Sequence, residues 1–89
     1  MILTNNLRKM LKERSRQYNL PGIELDVRNT PNDWVAIISR YIAGEARRGL
    51  IKPTREDFED SLIKAGAIIL AALEHCDKMD ANNHFQKEN

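Results

Sequence analysis

Phe58-Glu59-Asp60-Ser61-Leu62-Ile63-Lys64-Ala65-Gly66-Ala67-Ile68-Ile69-Leu70-Ala71-Ala72-Leu73-Glu74-His75-Cys76-Asp77-Lys78-Met79 is the stretch on which the fold turns. Apolar residues at 58, 62, 65, 69, 72, 76 and 79 alternate steps of four and three, the seam of a helix packed lengthwise on other helices. A second set, Ile63, Gly66, Ala67, Leu70 and Leu73, covers an adjacent face. The helix is therefore expected to be buried on more than one side. The run 62–73 is too short for a membrane span and carries Lys64, so a buried core helix is the better reading.

Upstream of this stretch, Thr54-Arg55-Glu56-Asp57 supplies a cap and a box partner, with Glu56, Glu59 and Asp60 complementing the helix dipole in the first turns. A third helix is thus expected over 55–78. Thr30-Pro31-Asn32-Asp33 repeats the device with proline at the first helical position. It predicts a second helix over 31–48, with Trp34, Ile37, Ile38, Tyr41 and Ile42 on its apolar face and Gly49 closing it. The first helix is expected over 4–19, capped by Thr4 or Asn5. Leu3, Leu7, Met10, Leu11 and Tyr18 form its apolar face, and Arg8, Lys9, Lys12, Arg16 and Gln17 its polar remainder. Asn19-Leu20-Pro21-Gly22 ends it. Ile23-Glu24-Leu25-Asp26-Val27 alternates apolar and polar and reads as an extended segment over 23–27, laid across the bundle through Ile23, Leu25 and Val27.

These elements predict an all-α chain with a single helical domain over 1–79 and a disordered polar tail over 80–89. At 89 residues and 10.3 kDa a three-helix core is marginal, and a helix that is apolar on two sides leaves surplus surface. A helical-bundle homo-oligomer covers it most economically. The mean hydropathy of −0.56, the lack of a visible signal peptide and a lone cysteine, Cys76, favour a cytoplasmic protein. Net charge is +1, divided as +6 over residues 1–55 (11 basic, 5 acidic) and −5 over residues 56–89 (3 basic, 8 acidic). That asymmetry fits an anion-binding surface or association between unlike faces.

Catalytic patterns are sparse. No glycine-rich phosphate loop, no Ser/His/Asp or Cys/His pairing and no zinc-ligand spacing is legible. Glu74 and Asp77 read as solvated residues at an exposed helix end. Helix-turn-helix DNA binding is disfavoured, because the presumptive recognition helix opens with Glu56, Asp57, Glu59 and Asp60, which would repel phosphates. Arg40, Arg47, Arg48, Lys52 and Arg55 cluster at one end of the second helix, and Lys64 must either snorkel or meet an anion.

Glu13-Arg14-Ser15-Arg16-Gln17, Asn32-Asp33-Trp34-Val35-Ala36-Ile37-Ile38, Phe58-x-x-x-Leu62-Ile63-Lys64-Ala65-Gly66-Ala67 and Ala71-Ala72-Leu73-Glu74 together resemble small phage-type proteins related to the MazG-like all-α nucleoside triphosphate pyrophosphohydrolases. The resemblance spans residues 13–77 and implies a bundle completed by dimerisation or tetramerisation. Active members of that group carry Glu-x-x-Glu and Glu-x-x-Asp motifs that hold Mg²⁺ against a nucleotide's phosphates. Here the corresponding positions fall near Arg40, Tyr41, Ala43 and Gly44, and near Ser61 and Lys64. Both motifs are missing.

The expectation is a non-catalytic protein, without metal or cofactor, that sequesters a phosphorylated nucleotide-like molecule as a phage counter-defence factor. Arg40 would supply a bidentate fork, Lys64 a point charge, Trp34 or Tyr41 a stacking face, and Arg47 and Arg48 further positive charge. The alternatives are a protein-binding inhibitor acting on a host complex, and a Mg²⁺-dependent hydrolase with ligands relocated to Glu45, Asp57 and Asp60.

Overall fold

A computed structural model describes residues 2–46 and 52–87 and, in the last turn of the second helix, the backbone alone for 44–46. Helix α1 spans Ile2–Gln17, α2 Pro31–Ala46, α3 Arg55–Glu74 and α4 Cys76–Ala81, with a 3-10 helix at Ile23–Arg28 between α1 and α2. No strand occurs among the described residues. The chain is all-α, as the periodicities require.

Two helix starts follow the expected chemistry. Asp33 donates its amide to Thr30 Oγ1 at 3.2 Å, and Thr30 donates its own to Asp33 Oδ2 at 2.8 Å, a closed capping box. The backbone hydrogen bond to Thr30, then that from its side chain, holds the Asp33 carboxyl below its ordinary pKa. At α3, the Asp57 amide donates to Thr54 Oγ1 at 3.0 Å. Helix α1 differs at its start: it is helical from Ile2, so Thr4 and Asn5 lie inside it rather than capping it. The expected ends of the second helix at Arg48 and Gly49 fall outside the described residues.

The segment over 23–27 is not extended. Gly22, at φ +85, reverses the chain, a conformation glycine enters without steric cost. Leu25 then donates to Gly22 O at 2.9 Å and Asn29 to Asp26 O at 3.1 Å. A five-residue strand without a neighbour leaves its amides unpaired, so local i→i+3 bonds win. Ile23 is half-buried, whereas Leu25 and Val27 face solvent.

The third helix is interrupted at His75. Its Nδ1 lies 2.7 Å from Ala71 O, so Nδ1 carries the proton. The chain resumes as α4, and Met79 on α4 is buried. Beyond Ala81 the polar segment turns at Asn82 and Asn83, and the His84 amide bonds back to Met79 O at 2.9 Å.

Helix α3 is central and packs against both α1 and α2. Lys9 and Met10 adjoin Glu59–Ile63, Met10 meets Gly66, and Arg14 reaches Glu74. Helices α1 and α3 therefore run parallel. Trp34 sits against His75 and Met79, while Tyr41 sits near Ile68, so α2 runs antiparallel to α3. Leu20, Pro21, Gly22, Ile23 and Asp26 lie over one side of this layer, bridging Arg14 and Gln17, Tyr41, and Ile68 with Ala71.

The core is thin. Among the described residues, three of the five buried apolar side chains are alanines, Ala65, Ala67 and Ala71; the others are Trp34 and Met79. The expected apolar face of α1 is largely open, with Leu3, Leu7, Leu11 and Tyr18 exposed and only Met10 half-buried. Gln17, expected on the polar remainder, is buried together with Arg14.

Gly66 sets the α1–α3 approach. A Cβ built there would lie 2.8 Å from Met10 Sδ and 3.2 Å from its Cγ. In Gly66→Ala, a helix-propensity gain of about 1 kcal/mol offsets the displaced thioether, so urea denaturation should show little net change. Gly66→Val overpacks the contact and should lose about 2 kcal/mol.

Candidate functional site

Arg40 lies in the third turn of α2 and Arg28 at the end of the 3-10 helix. Both line an open depression of about 430 Å³, together with Leu25, Asn29, Asp33, Ala36 and Ile37. Among the described residues neither arginine forms an ion pair or a side-chain hydrogen bond. The one carboxylate on this wall, Asp33, is engaged by Thr30. Two arginines and an asparagine thus line one solvent-open depression, residue types whose donors suit phosphate oxygens.

A second cavity, of about 160 Å³, lies between the 3-10 helix and the three long helices, lined by Arg14, Gln17, Asp26, Tyr41, Ile68 and Ala71 among others. Arg14 is its best-held group. Its Nε and Nη2 donate to Glu74 Oε1 and Oε2 at 3.2 and 3.1 Å, and its guanidinium carbon stands 4.0 Å from the Tyr18 ring centre. The Tyr18 hydroxyl donates to the same Glu74 carboxylate. Arg14's hydrogen bond pulls the Glu74 carboxyl below its ordinary pKa against the opposing effect of burial. Glu74 is therefore a structural anchor and not the free, solvated acid expected from its position. Burial works against the Arg14 charge, but the hydrogen bond and charge of Glu74 outweigh it and its pKa stays raised.

The residues expected to share one site are distributed over the molecule. Trp34 is only 3% exposed and packs into the core with Ala71 and Met79, its ring centre 5.3 Å from that of His75. Tyr41 lines the Arg14 cavity and Arg40 the open depression. Lys64 Nζ pairs with Asp60 Oδ2 at 2.9 Å, one helical turn back. That hydrogen bond, and then the Asp60 charge, hold the ammonium above its ordinary pKa. Arg47 and Arg48 lie outside the described residues. Arg40 thus keeps company with Arg28, not with Lys64.

Two further carboxylates, Glu59 and Glu13, are partnered along their own helices. Arg55 Nε donates to Glu59 Oε1 at 2.8 Å, and Arg16 forks onto Glu13 at 2.7 Å. No group of three or more His, Cys, Asp or Glu side chains that could hold a metal ion forms among the described residues. The Glu45 side chain lies outside the described set. Cys76 is half-buried and donates weakly to Ala72 O at 3.6 Å. None of the described helices is long and apolar enough to cross a membrane.

Two functional candidates escaped the sequence reading. Arg28 directly follows the 23–27 segment read as extended, and no local pattern couples it to Arg40. The partner of Arg14 is 60 residues away, beyond the reach of any helix-spacing argument. Comparison with protein-family models, curated proteins and solved structures finds no match to this chain.

Proposed function

We propose that the chain is a non-catalytic binding protein that holds a small phosphorylated, nucleotide-like molecule at the Arg28–Arg40 depression. The observation that carries this reading is the pairing of two arginines, free of carboxylate partners among the described residues, on one open wall. An unpaired guanidinium gains a charge-assisted, bidentate contact when a phosphate arrives, without first giving up a salt bridge. Asn29 adds an amide that can donate to the same oxygens. Lys64 is held by Asp60 and is not required. Sequestering a nucleotide or nucleotide signal, the role suggested by the missing metal motifs rather than by the activity of the MazG-like group, needs only such a site.

Isothermal calorimetry against linear and cyclic nucleotides, with and without Mg²⁺, tests the proposal. Binding should be metal-independent and absent for the corresponding nucleosides. Arg28→Ala and Arg40→Ala should each weaken it by about tenfold or more, on the scale of one charge-assisted contact. Lys64→Ala should change it little. Failure of every phosphorylated ligand to bind overturns the reading, and Mg²⁺-dependent product formation replaces it with hydrolysis.

A further inference from the structure

Among the described residues, Arg14 and Gln17 are the two buried polar side chains, each 4% exposed, and both line the cavity of about 160 Å³ beneath the connection. Each is held at one end only. The Glu74 fork occupies Nε and Nη2 of Arg14, and Gln17 Nε2 donates to Glu13 Oε2 at 3.2 Å. Arg14 Nη1 and Gln17 Oε1 stay buried with no hydrogen-bond partner among the described residues. A buried donor and a buried acceptor left unmade both count against the fold. Two of them on the side chains of one cavity mark a place where a ligand can supply what the chain does not. Asp26 lines the same cavity from the 3-10 helix, half-buried. Its carboxylate has no ion pair or side-chain hydrogen bond among the described residues.

Charge decides the class of ligand. Arg14 answers to two carboxylates, Glu74 through its hydrogen bonds and Asp26 through its charge. A phosphate entering here would meet an excess of negative charge, unlike one at the Arg28–Arg40 depression. An uncharged planar ring suits the cavity instead. A cavity of about 150 Å³ accepts a benzene ring, and this one has Tyr41, Ile23 and Ile68 among its walls, one aromatic face and two aliphatic ones. The edge of that ring has to offer an acceptor to Arg14 Nη1 and donors to Gln17 Oε1 and Asp26. Guanine is the nucleobase with that set, since its O6 accepts while its N1–H and N2 amino group donate. Uracil has a single donor between two acceptors, cytosine one donor group beside two acceptors, and adenine one of each. We propose that this cavity is a nucleobase pocket, in which the Watson–Crick edge of a guanine meets Arg14, Gln17 and Asp26 while the Tyr41 ring lies against its face. The inference deepens the nucleotide reading and rests on it for the kind of ring. Tyr41 follows Arg40 on α2, and Asp26 shares the 3-10 helix with Arg28, so pocket and depression flank the same short element.

Calorimetry of the full chain with GMP, IMP, AMP, CMP and UMP tests the pocket. GMP should bind most tightly, by about tenfold over IMP, which lacks the N2 amino group, on the scale of one charge-assisted hydrogen bond. Asp26→Ala should erase the preference for GMP over IMP and leave AMP binding, which draws on the phosphate, unchanged. A second measurement needs neither a variant nor the phosphate site. In side-chain NMR of the wild type, millimolar guanosine, too weak a ligand for the calorimetry, should shift the Ile68 methyl and Gln17 amide signals. Adenosine should not, and the Leu25 and Ile37 signals of the depression should stay in place with both. A guanosine response without any nucleotide binding would overturn the Arg28–Arg40 reading and retain the pocket. Nucleotides that bind with equal affinity overturn the pocket and leave the phosphate site standing. Absence of a guanosine response at Ile68 and Gln17, or an equal response to adenosine, also overturns the inference.

Discussion

Trp34→Ala should abolish cooperative thermal unfolding followed by far-UV circular dichroism. Among the described residues Trp34 is the largest buried side chain, in a core otherwise made of Met79 and alanines, and neither alanines nor the helix backbone can collapse to fill an indole-sized void. Truncations of this kind cost about 3–5 kcal/mol, comparable to the whole stability of a domain this small. Trp34→Phe separates volume from polarity. It keeps the ring against His75 and removes an indole Nε1 that is buried without a hydrogen-bond partner. The relief of that orphaned donor offsets part of the lost volume, so Trp34→Phe should unfold cooperatively at a loss of about 1–2 kcal/mol. Equal damage from both variants would mean that the indole nitrogen holds the fold in a way its geometry does not show.

The second large effect concerns Arg14. Glu74→Gln strands a guanidinium whose side chain is only 5% exposed, beside a partner that is 42% exposed. Breaking a fully buried pair costs about 3–5 kcal/mol; solvent around Glu74 screens part of the interaction and reduces the expected loss to about 2 kcal/mol. The pH dependence carries a sign. The Glu74 carboxyl titrates below its ordinary 4.5 when folded. Its contribution is therefore complete above 4.5 and disappears as pH falls through the lower folded value. Wild-type urea midpoints should drop along this acid limb, and Glu74→Gln, already without the charge, should show a flatter one. Parallel acid limbs in the two proteins would place the titration elsewhere, with Glu13 and its Arg16 fork as the next candidate.

The contrast between these two residues shows how much the chain discloses on its own. Trp34 is legible because the Thr30-x-x-Asp33 box fixes where α2 starts, and the helical period then places the indole inward. The packing of α3 against two neighbours is legible for the same reason, since both of its faces are written within one local stretch, but Phe58, Leu62, Ile69 and Leu73 of those faces are exposed and not buried as expected. The role of Glu74 is not legible, because its partner arrives from the first helix through the parallel packing. Leu7 and Leu11 mark an apolar face without naming what covers it. The alternation over 23–27 is equally compatible with a strand and a tight helix, and Gly22 with its positive φ decides in favour of the latter. Of the candidate site, Arg40 keeps a role while Trp34 goes to the core and Lys64 to Asp60. Charge and ring type do not reveal which cations already have partners.

The parallel run of α1 beside α3 also orders events in time. Helices α2 and α3 are neighbours in sequence and antiparallel in space, so their contacts form over short chain separations and can appear early. The grip of Arg14 on Glu74 spans 60 residues, and loop-closure entropy must be met before that contact contributes anything. A nascent α2–α3 hairpin therefore waits for α1 to return and dock alongside it. In the native ensemble the same asymmetry makes α1 the first long helix to lift away, because it can detach without disturbing the Trp34 cluster.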